Sequence, residues 1–422
     1  MAYLICGVGQ AGGAIVDEMF ANPTLRRVAV PLAINSTLKD LQSLRNIPRS
    51  NWLGLSEVRG IIPGTTPGFE ELVVGGFGKN PRRAKEVLSK NLPSVVQFFR
   101  DFAARHTTTE NLAPKQWQTT REGEEWSAVD TSVGSVPFAM IVLGLGGGTG
   151  CGSSALIAHA IREASATTTS VIAVGVLPAT HESTGEGAHG SFRQAWNALF
   201  ALRELEAVVD GFILVDNERL AFTRNVEQLF PSFNQYVGHS LNDLILGNVL
   251  EAVDPKQYER LSLPVIDIAD IVSAISFDGG GKKRRPGYAS LGWAALPTKN
   301  LLGYFLPGVG KKKVDLAELF QLALRKQSIH QLRPEDAKKN LGLVRLPSRL
   351  ARNKAFFPQT SLIEGELGKM TSLNETHFGI SLGKRAVVSV NTLLTFEQNQ
   401  LARLKQLQEL ALRYSAKGVR EL

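Results

Sequence analysis

Cysteine is nearly absent: Cys6 and Cys151 are the two in 422 residues. Two thiols supply neither a disulfide framework nor a zinc cluster, so a fold stapled by bridges or built on zinc is excluded. No apolar run approaches the roughly 18–20 residues that a membrane helix needs, and no transmembrane segment is expected. The seven histidines are dispersed and form no His-Glu-x-x-His, which argues against a histidine-held metal or a triad. A Gly-x-x-x-x-Gly-Lys-Ser/Thr loop occurs nowhere, so the P-loop route to nucleotide binding is closed. Residues 1–7 carry no basic segment and no small-residue cleavage site; the reading is a cytoplasmic chain without a signal peptide.

Charge is also modest. Lys and Arg number 47 against 39 Asp and Glu, a net +8. The basic runs Lys282-Lys283-Arg284-Arg285 and Lys311-Lys312-Lys313 flank glycines and read as solvated loops. No aromatics interleave with them, so a nucleic-acid partner is not expected.

Residues 3–8, 28–35, 138–145, 170–177 and 211–215 are short runs rich in Val, Ile and Leu, each the length of a buried strand. Helical stretches follow most of them, as at 11–20 and 154–164. That alternation predicts βαβ units, a parallel sheet and right-handed crossovers. Residues 106–135 interrupt it with Thr, Glu, Gln and two Trp, and read as a surface insertion. A long helix is expected over 232–253. Beyond it, 288–296, 341–346 and 377–390 read as strands of a smaller mixed sheet. Leu404, Leu407, Ala411 and Tyr414 mark one face of a last helix over 397–414. The expected architecture is α/β: a Rossmann-like parallel-sheet domain over 1–231, the central helix 232–253, an α+β domain over 254–395, and a helical segment 396–422.

Glycine carries the strongest local signal. Gly144, Gly146, Gly147, Gly148, Gly150 and Gly152 fall between a buried strand and a helix, interleaved with Thr149 and followed by Ser153 and Ser154. Backbone without Cβ approaches a phosphate closely, and the helix N-terminus adds partial positive charge. Gly7-Val8-Gly9-Gln10-Ala11-Gly12-Gly13 also joins a strand to a helix, and fits the dinucleotide pattern. A dinucleotide site wants an acid closing the second strand, however, and Asn35 stands there. Gly75-Gly76-Phe77-Gly78-Lys79-Asn80-Pro81 forms a third loop. Three such loops in one half predict a polyphosphate gripped from several sides without a P-loop lysine.

At this point the chain resembles the tubulin/FtsZ superfamily. Gly146–Gly152 is similar to its Gly-Gly-Gly-Thr-Gly-Ser/Thr-Gly loop, with Cys151 at the Ser/Thr position. Gly9-Gln10-Ala11-Gly12 resembles the first phosphate loop, Gln10 being shared with tubulin and the archaeal CetZ branch. Gly76, Phe77, Gly78, Lys79 and Asn80 resemble the loop facing the γ-phosphate. Pro178 and Glu182 resemble the ribose loop, with Glu186 as an alternative. Asp216-Asn217-Glu218-Arg219-Leu220 resembles the segment whose Asn reads guanine, and Asn242 the central-helix residue that assists it. The usual stacking position holds Gly238, which leaves Tyr236 or Phe233 for that role. Asp267 and Asp270 match both carboxylates of the catalytic loop, while Val265 replaces its Asn.

The resemblance implies GTP and GDP as ligands, Mg²⁺ held through the nucleotide with Gln10 nearby, and GTP hydrolysis. It also implies that the partner is a second copy, stacked head-to-tail so that its aspartate loop completes the site. Lys311–Lys313 fall where the family has a loop used in lateral contact. Read from the residues alone, Asp267 is an ordinary helix cap before Ile268, Ile271, Val272 and Ile275. Two other functions stay open: a GTP-binding scaffold that does not hydrolyse, and a Rossmann-type NAD enzyme.

Overall fold

The computed structural model describes residues 3–73, 75–106, 115–120, 123–128, 136–165, 168–180, 188–220, 226–247, 264–279, 282–298, 314–348, 357–369, 375–383 and 386–416. The chain divides into two units, Met1–Gly238 with Arg403–Leu422, and His239–Ala402.

In the first unit the elements run β1 (Tyr3–Val8), α1 (Gly9–Met19), β2 (Ala29–Asn35), α2 (Leu38–Gln42), β3 (Trp52–Ser56), β4 (Gly60–Pro63) and α3 (Phe69–Leu72). Then come α4 (Pro81–Lys90), α5 (Leu92–Arg105), a hairpin of β5 (Lys115–Thr120) and β6 (Gly123–Ala128), and β7 (Phe138–Gly144). They are followed by α6 (Thr149–Ala164), β8 (Ser170–Leu177), α7 (Ala188–Glu206), β9 (Gly211–Asp216) and α8 (Val226–Ile245), whose residues from His239 onward count with the second unit. The sheet order is β9-β8-β7-β1-β2-β3-β4. All neighbours are parallel except β4, which turns back along β3.

Helices on both faces of a parallel sheet bury both faces of each strand, which is why β1 and β9 as far as Val215 read as unbroken apolar runs. The chain winds outward from β1 through β2 to β3, then returns to β7 and winds the other way through β8 to β9. The loops leaving β1 and β7 therefore diverge, and a crevice opens at the carboxyl ends of these neighbours.

In the second unit α9 (Ile268–Ala274) precedes the hairpin β10 (Ser276–Gly279) and β11 (Lys282–Pro286). After β12 (Tyr288–Pro297) come α10 (Leu316–Arg325), β13 (Lys339–Pro347), α11 (Phe357–Lys369), β14 (Thr376–Gly383) and β15 (Val387–Phe396). Their sheet order is β14-β13-β15-β12. β13 and β14 are parallel, and the other pairs antiparallel, so the sheet is mixed. Leu316, Phe320 and Ala323 of α10 pack with Val344, Leu346, Val388 and Val390 into its core. The last helix, α12 (Ala402–Ala416), counts with the first unit from Arg403 onward. Among the described residues, no helix is long and apolar enough to cross a membrane.

Several boundaries differ from the sequence reading. The stretch 377–390 contributes to two strands, β14 and β15, because apolar residues continue through both. The central helix starts at Val226, before position 232, and positions 248–253 lie outside the described residues. The last helix starts at Ala402: Glu397 and Gln400 form a capping box around a 3-10 turn at Gln398–Gln400. Of the 106–135 stretch, the hairpin strands are described and most of the rest is not.

One contact fixes how close α1 comes to the sheet. A Cβ on Gly12 would lie 2.0 Å from the Val142 carbonyl oxygen of β7. Gly12→Ala should therefore force the helix off the strand and cost about 1–3 kcal/mol, a usual range for overpacking. A thermal melt identical to wild type would show that this contact relaxes freely.

Candidate functional site

Where β1 and β7 part, a cleft of about 460 Å³ is lined by residues of all three glycine loops. Of the residues singled out by sequence, Gly9, Gln10, Ala11, Gly76, Phe77, Gly78, Lys79, Gly146, Gly147, Gly148, Thr149, Gly150, Pro178 and Asn217 line it. Gly12 and Asn80 stand behind the wall. Gly12 packs on β7, and Asn80 caps α4 by accepting from the Arg82 N–H at 3.0 Å. Glu182 and Glu186 lie outside the described residues.

Each loop is shaped by its own chemistry. Gly9, at φ 72°, lets β1 turn straight into α1. α6 begins at Thr149, so the end of the second glycine loop is already the first helical turn, with its free N–H groups. Thr149 Oγ1 lies 2.8 Å from Ser36 Oγ, which ties this loop to the one after β2. Asn35, in the place of a dinucleotide site's acid, accepts from the Ser36 and Thr37 N–H groups and donates to Asp40 at 3.1 Å. It shapes its own loop. In the third loop Lys79 holds φ 60°, a left-handed backbone uncommon for a residue with a side chain. Among the described lining residues Lys79 is the one cation and Asp40 the one acid.

The loops are fastened from α7, a contribution that the sequence reading missed. Asn197, fully buried, directs Nδ2 at the carbonyl oxygens of Lys79 (2.9 Å), Gly146 (3.1 Å) and Gly147 (3.4 Å). Arg193 donates to the Gly78 carbonyl at 3.0 Å. A Cβ on Gly148 would meet the Asn80 nitrogen at 2.7 Å, so the second and third loops touch there. By contrast, a Cβ on Gly147 would meet no protein atom within 4 Å. Gly147, itself a lining residue, thus has open space where a side chain would stand.

At the far end Asn217 places its Oδ1 in a buried position with no hydrogen-bond partner. A buried acceptor left so is costly unless a ligand completes it. Tyr236 is half-buried and does not line the cleft. Asn242, 3% exposed, belongs to the second unit.

The second unit holds Asp267 and Asp270 in a reciprocal capping box at the start of α9. Asp270 N–H donates to Asp267 Oδ1 and Asp267 N–H to Asp270 Oδ2, both at 2.9 Å. Behind them His377 Nδ1 lies 3.4 Å from Asp270 Oδ1, and its Nε2 lies 3.4 Å from Glu375. Lys339 meets Glu375 at 2.7 Å, and Ser273 donates to it at 3.2 Å. Partial burial pushes the Glu375 carboxyl up, but the Lys339 hydrogen bond and charge outweigh it, aided by His377 and Ser273, and the net shift is downward. Val265, two residues before Asp267, is an exposed apolar side chain. Among the described residues no group of three His, Cys, Asp or Glu could hold a metal by itself.

These features coincide with one family. The family model "Tubulin/FtsZ family, GTPase domain" matches residues 124–224, which include the second glycine loop and Asn217. The tubulin-like protein CetZ of Pyrococcus abyssi is 26% identical over 250 residues, 58% of this chain and 53% of that one. CetZ3 of Haloferax volcanii is 25% identical over 325 residues, 75% of this chain and 66% of that one. The chain thus spans about half the length of several of the curated relatives it matches. Among solved structures, CetZ2 from Haloferax volcanii in a GTPγS-bound protofilament superposes with a TM-score of 0.64, covering 99% of each chain at 17% identity. Over residues 124–224 the chain is thus similar to the tubulin/FtsZ family, and archaeal CetZ proteins are among those it resembles.

The shifted carboxylate gives a prediction. Glu375 titrates below its ordinary value in the folded chain, so its stabilising contribution is present at pH above that ordinary value. It is lost as pH falls through the folded value. Lys339→Met should move the Glu375 titration upward in carboxyl NMR and shrink that acid-side loss. An unmoved titration would mean that Lys339 is not what lowers it.

Proposed function

We propose that this chain binds GTP and GDP in the first unit's cleft, hydrolyses GTP, and assembles head-to-tail into filaments. The observation that carries this reading is the cleft itself: glycine backbone from three loops at one end, and the buried, unpartnered Asn217 Oδ1 at the other. Backbone N–H groups at a helix start suit phosphate oxygens. An amide oxygen suits the N1–H and N2–H₂ edge of guanine. The engagement of Asn35 within its own loop disfavours a dinucleotide ribose there.

Mg²⁺ would come with the nucleotide, neutralising phosphate charge with its usual oxygen ligands. Gln10 and Asp40 are among the lining side chains whose oxygens suit it. Pro178, which lines the cleft, would stand by the ribose.

Hydrolysis needs an oriented water beside the terminal phosphate, and a carboxylate is the ordinary group for that task. Asp267 and Asp270 take this role on the nucleotide of a neighbouring copy. A contact in which one face of a subunit meets a different face of the next generates an open filament when its rotation does not close. The protofilament described for CetZ2 supports that reading. A second reading is a GTP-binding scaffold without hydrolysis. It is favoured by Val265 in the place of the family's Asn, and by the capping box that already occupies both aspartates.

Two measurements test the site. Calorimetry should show GTP and GDP binding far more tightly than ATP, and Gly147→Val should weaken GTP at least about tenfold, roughly 1.4 kcal/mol. Because its Cβ meets no protein atom, that variant should stay folded. Equal affinity for ATP and GTP, or full GTP affinity in Gly147→Val, would remove the cleft as the nucleotide site.

Catalysis and capping are separated by Asp267→Asn and Asp270→Asn. Asn caps a helix about as well as Asp, so stability should be nearly unchanged. Hydrolysis should fall at least about 100-fold while GTP binding persists. Wild-type turnover per subunit should rise steeply with protein concentration, because an isolated copy holds half a site. Concentration-independent turnover, with normal rates in both variants, would leave the aspartates as caps alone; no turnover in wild type would support the scaffold.

A further inference from the structure

The first unit contains a buried ionic cluster that none of the glycine loops uses. Arg403, on the first turn of α12, is 3% exposed, and all five of its guanidinium N–H donors have acceptors. Nε meets the Asp216 carboxylate at 3.0 and 3.2 Å. Nη1 donates to Thr180 Oγ1 and to Gln406 Oε1, both at 2.7 Å. Nη2 donates to the Pro178 carbonyl at 2.6 Å and to Glu218 Oε2 at 3.1 Å. Thr180 in turn donates its N–H and its hydroxyl to Glu218.

The acceptors share one feature. Asp216 and Glu218 flank Asn217, and the Glu218 N–H also returns to Asp216 Oδ1 at 3.0 Å. Pro178 and Thr180 flank Ala179. Asn217, Pro178 and Ala179 all line the cleft. One side chain from the far end of the chain thus fixes the backbone on both sides of two lining segments. The hydrogen bonds given for Arg403 end on these two segments and on Gln406, not on the glycine loops, although Pro178 itself lies beside Gly146.

We infer that Arg403 is the positioning residue for the base-and-sugar half of the nucleotide site, and that docking of α12 is coupled to nucleotide occupancy. This rests on the GTP-binding reading. A guanidinium is suited to the task because its planar fork holds five acceptors in fixed directions, which a lysine ammonium cannot. The cluster pairs one cation with two buried carboxylates, so removing Arg403 would leave Asp216 and Glu218 without the cation that offsets their burial. By linkage, whatever α12 contributes to guanosine binding, guanosine contributes equally to α12 docking.

The test compares ligands that need different halves of the cleft. Arg403→Lys and Arg403→Ala should each weaken GTP and GDP at least tenfold, while inorganic tripolyphosphate, which needs the glycine loops alone, binds as in wild type. Millimolar guanidinium should restore much of the GTP affinity of Arg403→Ala, and urea at the same concentration should not. Thr180→Val keeps every charge, should fold even where Arg403→Ala does not, and should show a smaller loss of the same kind. In wild type, amide exchange across 402–416 should slow when GDP is added. Parallel losses for tripolyphosphate and GTP would reduce Arg403 to a general structural group, and unchanged GTP affinity in folded Arg403→Lys and Thr180→Val would overturn the inference. Absence of GTP binding in wild type would instead defeat the nucleotide reading itself.

Discussion

Asn197 sits at the centre of α7 with no exposed surface, and its amide nitrogen faces three backbone carbonyls from two different loops. A site lined by glycine loops needs such a fastening. Glycine segments gain close approach but lose heavily in conformational entropy when ordered, so their geometry has to be imposed from outside. In this chain it is imposed from a helix, whose own hydrogen bonds are already closed. The left-handed Lys79 is understandable on the same terms: strain of that kind persists where surrounding contacts over-determine the backbone, and the Lys79 carbonyl is one of Asn197's acceptors.

The parts of the molecule written as patterns were legible in the sequence. β1, β8 and β9 as far as Val215 are unbroken apolar runs because both faces are buried, and a glycine-rich turn between a buried strand and a helix has few other uses. Asn197 and Arg403 are single polar residues inside helices, with nothing in spacing or composition to separate them from solvated neighbours. Their partners are remote in the chain, 187 residues away for Arg403 and Asp216. Only the fold brings them together. Gly12 shows a subtler failure. Its place in Gly9-Gln10-Ala11-Gly12 suggested a phosphate contact, yet its missing Cβ makes room for Val142 of β7. A glycine pattern says that a side chain is not tolerated, and leaves open whether ligand or protein occupies the space.

The capping role observed for Asp267 and Asp270 is compatible with the catalytic role proposed for them. Asp267 and Asp270 each accept one backbone N–H through one oxygen. Each carboxylate has a second oxygen, and lone pairs remain for a water. The capping box holds the two groups at a fixed separation before any ligand arrives, which is the kind of preorganisation a water-positioning pair requires. The bland reading therefore supplies the geometry that the sharper one needs.

Within the first unit, the cleft is supported at its two ends by separate means. Asn197 on α7 holds the second and third glycine loops, through neutral hydrogen bonds to carbonyls. Arg403 on α12 holds the Pro178–Thr180 and Asp216–Glu218 segments, through buried charge. A neutral amide among carbonyls keeps its geometry at any ordinary pH. A buried cation between two carboxylates is stabilising only while every member is present, because the desolvation cost of each charge is offset by the others. The end of the cleft at the glycine loops is thereby fixed by the fold of the sheet and its helices. The end at Pro178 and Asn217 is held by a side chain of the last helix, and under the proposed coupling that asymmetry makes α12 the element best situated to report on what the cleft holds.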